Sequence, residues 1–264
     1  MQVSYDGTDF SGWAVQPGRR TVAGEISGAL EKVFQTPVSL TVAGRTDAGV
    51  HATGQVCHVD LPADRWEAVG DTLVRRLAGL LPTDVRVTAA DQVSPDFDAR
   101  FSALWRRYEY RVTDAPAGAN PLRRLDTLAW PRALDLDALN AAAAGLTGEH
   151  DFAAFCRRKD FATTIRDVTT LSWHRDADAI LIATVQADAF CQQMVRSLVG
   201  AMLAVGEGRR PGSWPGSLLD RSVRATEVPV AAAHGLTLVA VGYPDEDDYA
   251  GRAEATRQLR SRRA

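Results

Sequence analysis

The sequence lacks the segments that insert proteins into membranes or export them. None of its apolar runs approaches the roughly 20 residues that a membrane-spanning helix needs. The N-terminus also lacks the charged and then apolar segment of a signal peptide. These absences predict a cytoplasmic protein that is not embedded in a membrane.

Cysteine and histidine are scarce, and neither is arranged to bind a metal ion. The three cysteines, Cys57, Cys156 and Cys191, are widely spaced and form no Cys-X-X-Cys motif, and the five histidines are scattered. Gly44 and Gly49 have the glycine spacing of a P-loop, but no lysine accompanies them. We therefore expect three buried free thiols, no metal ion and no cofactor.

Lysine is nearly absent, since Lys32 and Lys159 are the only lysines among 30 basic residues. Arginine makes bidentate contacts with phosphate and stacks on bases, although a GC-rich genome would also favour its codons. The net charge of −3 argues against a strongly basic nucleic-acid binder. Several basic residues are clustered along the chain, at 19–20, 75–76, 106–107, 123–124, 157–159 and 209–210. If several of these clusters share one face, they predict an anionic polymer as the partner.

Hydrophobic periodicity predicts an α+β fold made of two α/β halves of comparable length. The predicted strands cover 1–5, 38–42, 55–61, 85–89, 103–113, 164–174, 179–188 and 236–243, and the predicted helices cover 22–35, 66–81, 135–146 and 190–205. The two similar halves suggest a pseudo-duplicated fold, although no sequence repeat supports it. Proline and small residues predict a linker at 114–125, between a first half at 1–113 and a second at 126–244. We expect the polar segment 245–264 to be a flexible tail.

Residues 43–52, Ala-Gly-Arg-Thr-Asp-Ala-Gly-Val-His-Ala, place one carboxylate in a glycine-flanked turn between two predicted strands. Arg45 lies two residues before Asp47, and a neighbouring cation keeps a carboxylate ionised at neutral pH. An ionised aspartate acts as a nucleophile or a base rather than as a proton donor. The alternative is a hairpin turn in which Asp47 bonds its own backbone and Arg45 is solvated.

Two further segments place polar groups among apolar neighbours. In the longest predicted strand of the first half, alternation puts Tyr108 and Tyr110 on one face, where they form either sheet core or a platform on which a base stacks. Arg196 lies in an apolar predicted helix, where burial is costly unless the guanidinium meets a carboxylate or a phosphate. It either extends to the surface or points inward, in which case Asp47 is the expected partner.

The 43–52 run closely resembles the active-site motif of the TruA family of tRNA pseudouridine synthases. Other segments that resemble the family follow in the same order along the chain, at 5–13, 20–22, 55, 97–103, 107–110, 148–152, 194–200 and 235–238. The resemblance implies isomerisation of uridine to pseudouridine at positions 38, 39 and 40 of the tRNA anticodon stem-loop, without metal or cofactor. It also implies two halves whose mostly antiparallel sheets join into one central sheet, with the catalytic cleft between the halves.

The resemblance implies roles for four residues. It maps the catalytic nucleophile onto Asp47 and a base-stacking, substrate-binding tyrosine onto Tyr108. It assigns to Arg45 the displacement of the target base and to Arg196 the pairing with Asp47. The implied partners are the anticodon stem-loop of tRNA and a second copy of the chain in a homodimer. The sequence leaves open whether Asp47 attacks uracil C6 or ribose C1′, which tRNAs and which of the three positions are modified, and where the dimer interface lies.

The chain departs from the family pattern at three places. Ala14 follows Trp13 where the family usually has glutamine, and Cys-Gln-Gln at 191–193 replaces a more aromatic or histidine-containing stretch. Only four residues precede Tyr5, where the family has a longer first strand, so we expect either a start further upstream or a clipped strand. With Ala14 we expect a polar contact near the N-terminal loop to be missing. The early start affects the edge of the sheet rather than the active site.

Overall fold

The structure, a computed structural model, describes residues 1–157 and 163–257. It divides the chain into two compact units, one built from Met1–Leu104 and Leu238–Arg257 and the other from Trp105–Thr237. The division therefore falls before the predicted 114–125 linker, and the chain returns to the first unit at Leu238. Arg158 and Lys159 of a predicted basic cluster lie outside the described residues, as do residues 258–264 of the predicted tail.

The described residues form ten strands and seven α-helices. The strands are β1 (Gln2–Tyr5), β2 (Thr41–Val42), β3 (His51–His58), β4 (Val85–Ala89), β5 (Trp105–Thr113), β6 (Leu128–Ala129), β7 (Gly148–Asp151), β8 (Ile165–Arg175), β9 (Leu181–Ala187) and β10 (Leu236–Gly242). The helices are α1 (Val22–Phe34), α2 (Ala63–Val69), α3 (Leu73–Leu80), α4 (Leu136–Ala144), α5 (Met194–Gly206), α6 (Trp214–Ser217) and α7 (Tyr249–Arg257). The α+β fold class predicted from the sequence is confirmed.

Each unit has its own run of hydrogen-bonded strands. In the first unit the order is β4-β1-β3-β10, and β2 pairs with β3 in antiparallel orientation. In the second unit the order is β5-β9-β8-β7, and every pair in that run is antiparallel. The short β6 strand pairs with β5 in parallel, which makes the sheet mixed.

Two helices begin with a side chain that caps their first turn. The Thr21 hydroxyl oxygen accepts a hydrogen bond from the Gly24 amide at 3.2 Å and caps α1. The Asp135 carboxylate accepts from the amides of Asp137 and Ala138 at 2.9 and 3.0 Å, as expected for the N-cap of α4. These side chains satisfy amide groups that have no partner within the first turn of a helix.

Several elements differ from the sequence prediction. The helix expected at 66–81 is two helices separated by a 3-10 turn at Gly70–Thr72, where the Thr72 hydroxyl donates to the carbonyl of Val69 at 3.1 Å. Glycine lowers helix stability, and a threonine hydroxyl competes for backbone groups, so the break has a local cause. The β7 strand was not predicted, because Gly-Glu-His-Asp carries no apolar alternation.

The segment after residue 244 also differs from the expectation of a flexible tail. Residues Tyr249–Arg257 form α7, in which Ala253 is buried. The Arg252 guanidinium donates to the carbonyl of Ala103, and the Ser102 hydroxyl donates to the carbonyl of Tyr249. These long-range contacts anchor a helix whose own sequence is too polar to predict it.

The cysteines are not the three free thiols expected from their spacing. Cys57 is free and buried on β3, as predicted. Cys156 and Cys191 are joined in a disulfide, with their Cα atoms 5.6 Å apart. The prediction was wrong for this pair because residues separated by 35 positions meet only in the folded chain.

The core of the second unit is centred on α5. Every residue of α5 except Arg196 is buried. The backbone of the 229–231 segment crosses it so closely that a Cβ added at Gly200 would lie 1.9 Å from the carbonyl oxygen of Pro229. No helix among the described residues is both long enough and apolar enough to span a membrane.

We predict that Gly200→Ala destabilises the protein by about 3 kcal/mol, because the added methyl group overlaps a backbone carbonyl that cannot move independently. Gly28→Ala in α1 is the matched control, since a Cβ there meets nothing within 4 Å. This control should gain about 0.5–1 kcal/mol through reduced backbone entropy. Urea denaturation of both variants measures the difference, and equal stabilities would contradict the packing described here.

Candidate active site

The candidate active site begins with the loop at 43–50, which connects β2 to β3. The Ala43 amide donates to the carbonyl of Val56 at 2.9 Å, which continues the pairing of the two strands into the loop. Further along, the Val50 amide donates to the carbonyl of Asp47 at 3.2 Å and closes a turn. Gly49 adopts a φ of 77° at the third position of this turn, where glycine is strongly favoured. The turn expected around Asp47 is therefore present.

The N-terminal segment at 5–13 packs directly on this loop. The Trp13 amide donates to the carbonyl of Thr46 at 3.1 Å, and the Gly49 amide donates to the carbonyl of Phe10 at 3.4 Å. Gly12 has a φ of 92°, and a Cβ there would lie 2.8 Å from the carbonyl oxygen of Thr46. Backbone therefore lies against backbone on both sides of Asp47, and only glycine fits at residue 12.

Besides its contact with the 43–50 loop, the 5–13 segment is held by Arg20, which forms an ion pair with Asp84. The Arg20 guanidinium binds the Asp84 carboxylate through two hydrogen bonds of 2.7 and 2.8 Å, and this pairing lowers the pKa of Asp84. The same guanidinium lies 4.1 Å from the centre of the Phe10 ring. The carbonyl of Arg20 accepts from the Ser11 amide at 2.8 Å. One arginine thus holds both the main chain and a ring of this segment.

A buried polar cluster lies beneath the loop. The Tyr5 hydroxyl is 2.8 Å from the Thr46 hydroxyl. The Gln55 side-chain amide donates to the carbonyl of Gly44 at 2.8 Å and to the Tyr5 hydroxyl at 3.3 Å. Tyr5, Thr46 and Gln55 are all buried, whereas Arg45 is exposed and Asp47 is half-buried. The buried cluster therefore contacts the two residues that flank the exposed Arg45.

The second unit carries the two tyrosines and Arg196. Arg106, Tyr108, Tyr110 and Val112 are buried along β5, so the predicted alternation is confirmed. The Tyr108 ring packs edge-on against Phe190, with centroids 5.2 Å apart and an interplanar angle of 88°. This contact fixes the plane of the Tyr108 ring, which a stacking surface requires.

Tyr110 has a structural role. Its hydroxyl donates to the carbonyl of Ala232 at 2.8 Å, and burial raises its pKa, with the Arg196 charge acting in the opposite direction. A Cβ at Gly235 would lie 2.6 Å from its ring, so the ring is covered by main chain. Of the two tyrosines that the sequence offered for stacking, Tyr110 therefore belongs to the core.

Arg196 is held by the main chain that crosses α5. Its Nε donates to the carbonyl of Ala231 at 2.7 Å, and its own carbonyl accepts from the Ala231 amide at 3.0 Å. Arg196 is half-buried, whereas all other residues of α5 are buried. Asp47 and Arg45 belong to the first unit and Tyr108 and Arg196 to the second, so the predicted pairing of Arg196 with Asp47 stays a prediction.

Sequence reasoning missed the structural part that Tyr5, Gly12 and Gln55 play. Gln55 offered a signal, because it is a polar residue two positions before the buried Cys57 on the same face of β3. Phe190 was assigned to a helix face, but it precedes α5 and orients Tyr108. The described residues contain no cluster of three or more potential metal ligands.

Comparisons with known proteins agree with the resemblance found in the sequence. A family model described as tRNA pseudouridine synthase matches residues 1–102 and 142–244. The tRNA pseudouridine synthase A of Frankia casuarinae is 59% identical over 98% of this chain and 94% of its own length. The tRNA pseudouridine synthase A of Streptomyces griseus is 56% identical over 99% of this chain and 93% of its own length. A solved archaeal box H/ACA sRNP Nop10-Cbf5 complex is 12% identical over 78% of this chain and 44% of the other, and its TM-score of 0.33 does not establish a shared fold.

We predict that Gly12→Ala costs about 3 kcal/mol or more, because a positive φ and a clash with the Thr46 carbonyl both oppose the added methyl group. Gly18→Ala is the matched control: its φ of 69° is also positive, but a Cβ there meets nothing within 4 Å. This control should cost about 1 kcal/mol, from backbone strain alone. Thermal denaturation compares the two variants, and similar losses would show that the loop does not depend on the close approach.

Proposed function

Because the chain belongs to the tRNA pseudouridine synthase family, we propose that it modifies uridines 38, 39 and 40 of the tRNA anticodon stem-loop with Asp47 as nucleophile. The family assignment makes the protein an isomerase that converts uridine to pseudouridine in tRNA. The positions and the nucleophile go further and rest on the motif at 43–52. The observation that supports the proposal most strongly is that Asp47 is half-buried in a loop to which the 5–13 segment is hydrogen-bonded both before and after this residue.

The reaction requires access to the target base before any bond changes. A uridine in a stem or loop must leave its stack, at a cost of a few kcal/mol. We assign to the exposed Arg45 the displacement of that base, since a planar guanidinium stacks well and remains charged. Its place beside Asp47 brings the displaced uridine to the nucleophile.

The isomerisation exchanges one bond to the ribose for another. Asp47 attacks either uracil C6 or ribose C1′, and the bond between N1 and C1′ breaks. The uracil rotates, C5 bonds to C1′ and the bond to Asp47 breaks, which restores the carboxylate. The C5 proton is lost and N1 gains a proton. The atoms of substrate and product are the same, so the reaction needs neither an oxidant nor an energy source.

Tyr108 is assigned to hold the uracil while it is detached. Its ring plane is fixed by the edge-on contact with Phe190, so the face can support a base without further ordering. We assign to its hydroxyl a part in removing the C5 proton. Arg196 is proposed to pair with Asp47, as the resemblance to the family implies.

We also propose that the protein acts on tRNA as a homodimer in the cytoplasm. The homodimer is implied by the resemblance to the TruA family, and the cytoplasm is the location predicted from the sequence. Binding of tRNA should weaken as salt rises, because phosphate contacts release counterions. Exposed arginines of the basic clusters, such as Arg75 and Arg76, are proposed to supply the cations for such contacts.

Incubation of the purified protein with unmodified tRNA tests the function directly. Chemical labelling and primer extension should map pseudouridine to positions 38, 39 and 40 of substrates that carry uridine there. Asp47→Ala should abolish the product while tRNA binding persists, because the substitution removes the nucleophile but no phosphate contact. The control Asp91→Ala removes the same charge at an exposed position of the first unit and should retain turnover. Turnover by Asp47→Ala would overturn the assignment of the nucleophile, and modification elsewhere in the tRNA would overturn the positions.

Tyr108→Phe separates stacking from proton transfer. The ring remains against Phe190, so we expect tRNA affinity to persist and single-turnover rates to fall by about 10²-fold. Tyr110→Phe removes a hydroxyl from the same face of the same strand and should mainly cost stability, by about 1 kcal/mol for the lost bond to Ala232. Wild-type rates in Tyr108→Phe would exclude a role for its hydroxyl.

A further inference from the structure

We propose that Tyr5 and Gln55 are positioning residues that clamp the main chain on both sides of Arg45 and so set the directions of Arg45 and Asp47. The inference rests on the proposed function of Arg45 and Asp47. It concerns the buried cluster formed by Tyr5, Gln55, Gly44 and Thr46, which is defined here as the loop clamp. Nothing in the reaction itself requires these side chains to touch the substrate.

Gln55 is the fixed end of the loop clamp. Its side chain is 0% exposed on β3, where a polar group is costly unless it is hydrogen-bonded. Its amide nitrogen faces the carbonyl of Gly44 at 2.8 Å, and its amide oxygen accepts from the Val56 amide at 3.2 Å. The opposite orientation of the amide would set two oxygens against each other at Gly44 and two donors against each other at Val56. The surroundings therefore determine which end of Gln55 faces the loop.

That orientation fixes the direction of the remaining bonds. The Gln55 amide nitrogen donates only, so the Tyr5 oxygen must accept from it at 3.3 Å. Of the two contacts that the structure gives the Tyr5 hydroxyl, only the one with the Thr46 oxygen, at 2.8 Å, offers an acceptor for its proton, so we place the proton there. Burial raises the pKa of Tyr5 to about 12, so the hydroxyl keeps its proton at neutral pH, where the reaction with tRNA is measured. The loop clamp thus has one arrangement, from Gln55 through Tyr5 to Thr46.

The clamp acts at the two neighbours of Arg45. Gly44 is held through its carbonyl and Thr46 through its hydroxyl, while the Thr46 carbonyl also accepts from the Trp13 amide at 3.1 Å. Because both of its neighbours are held, the Cα–Cβ direction at residue 45 is fixed. Asp47 is held on one side through Thr46 and on the other through its own carbonyl, which accepts from the Val50 amide at 3.2 Å. The buried cluster therefore orients side chains that extend to the surface.

The expected consequence of loosening the clamp is a loss of rate rather than of binding. A misplacement of about 1 Å between reacting groups reduces rates by about 10²-fold, whereas phosphate contacts elsewhere maintain affinity. Tyr5→Phe removes one hydroxyl and keeps the buried ring. We expect its kcat to fall by about 10–100-fold while KM for tRNA stays within about twofold of the wild-type value.

Tyr243→Phe is the matched control for a structural effect. Its hydroxyl donates to the carbonyl of Ala99 at 2.7 Å in the same unit, so the substitution removes a comparable bond. It should lower the melting temperature about as much as Tyr5→Phe without the fall in kcat. Gln55→Met keeps the length of the buried side chain but removes both donors, and it should reproduce the kinetic change of Tyr5→Phe. The double variant should lose little more than either single variant, because both act through one clamp.

The experiment combines steady-state kinetics on unmodified tRNA with amide hydrogen exchange of the tRNA-free protein. Faster exchange at 44–48 in Tyr5→Phe and Gln55→Met, but not in Tyr243→Phe, would support the clamp whatever the activity. A kcat for Tyr5→Phe within twofold of wild type, a matching loss in Tyr243→Phe, or unchanged exchange at 44–48 would overturn it. Absence of pseudouridine with the wild-type protein would instead overturn the proposed function, while the exchange data would still test the clamp.

Discussion

Direct contact between two stretches of main chain, residues 5–13 and the loop at 43–50, is the constraint on which the candidate active site depends. Main chain can approach main chain this closely only where a side chain is absent, and Gly12 meets that condition. The contact determines the course of the loop, and the course of the loop determines where Arg45 and Asp47 stand. A carboxylate used as a nucleophile must be held in place, since its reactivity depends on distance and direction.

Around that contact, hydrogen bonds from buried polar side chains hold the loop in one orientation, which apolar packing alone cannot do. Hydrophobic contacts are tolerant of small shifts, whereas a buried hydrogen bond is lost when its partner moves. Gln55 and Tyr5 place such bonds directly beneath the loop. Arg20 and Asp84 add a paired charge that holds the 5–13 segment to the chain before β4.

In the second unit, main chain also packs closely against another element, the buried helix α5. α5 is so closely covered that Gly200 leaves no room for a methyl group, and Arg196 is its one residue outside the buried set. The main chain at 231–232 contacts both Arg196 and Tyr110 through adjacent carbonyl groups. Tyr110 is thereby used in packing, whereas Tyr108, the tyrosine proposed to hold the base, packs edge-on against Phe190.

From the sequence alone we predicted the α+β class, the helices at α1 and α4, the alternation along β5 and the turn around Asp47, because each depends on residues near one another in the chain. The sequence did not predict the disulfide between Cys156 and Cys191, the return of the chain to the first unit at Leu238, or α7. Tertiary structure decided these, and it also decided that Tyr110 is core and that Tyr5 and Gln55 meet the loop. The physical reason is that such roles depend on partners far away in the sequence, and no local pattern encodes those partners. Cys191 is 35 positions from Cys156, and Tyr249 is 147 positions from Ser102.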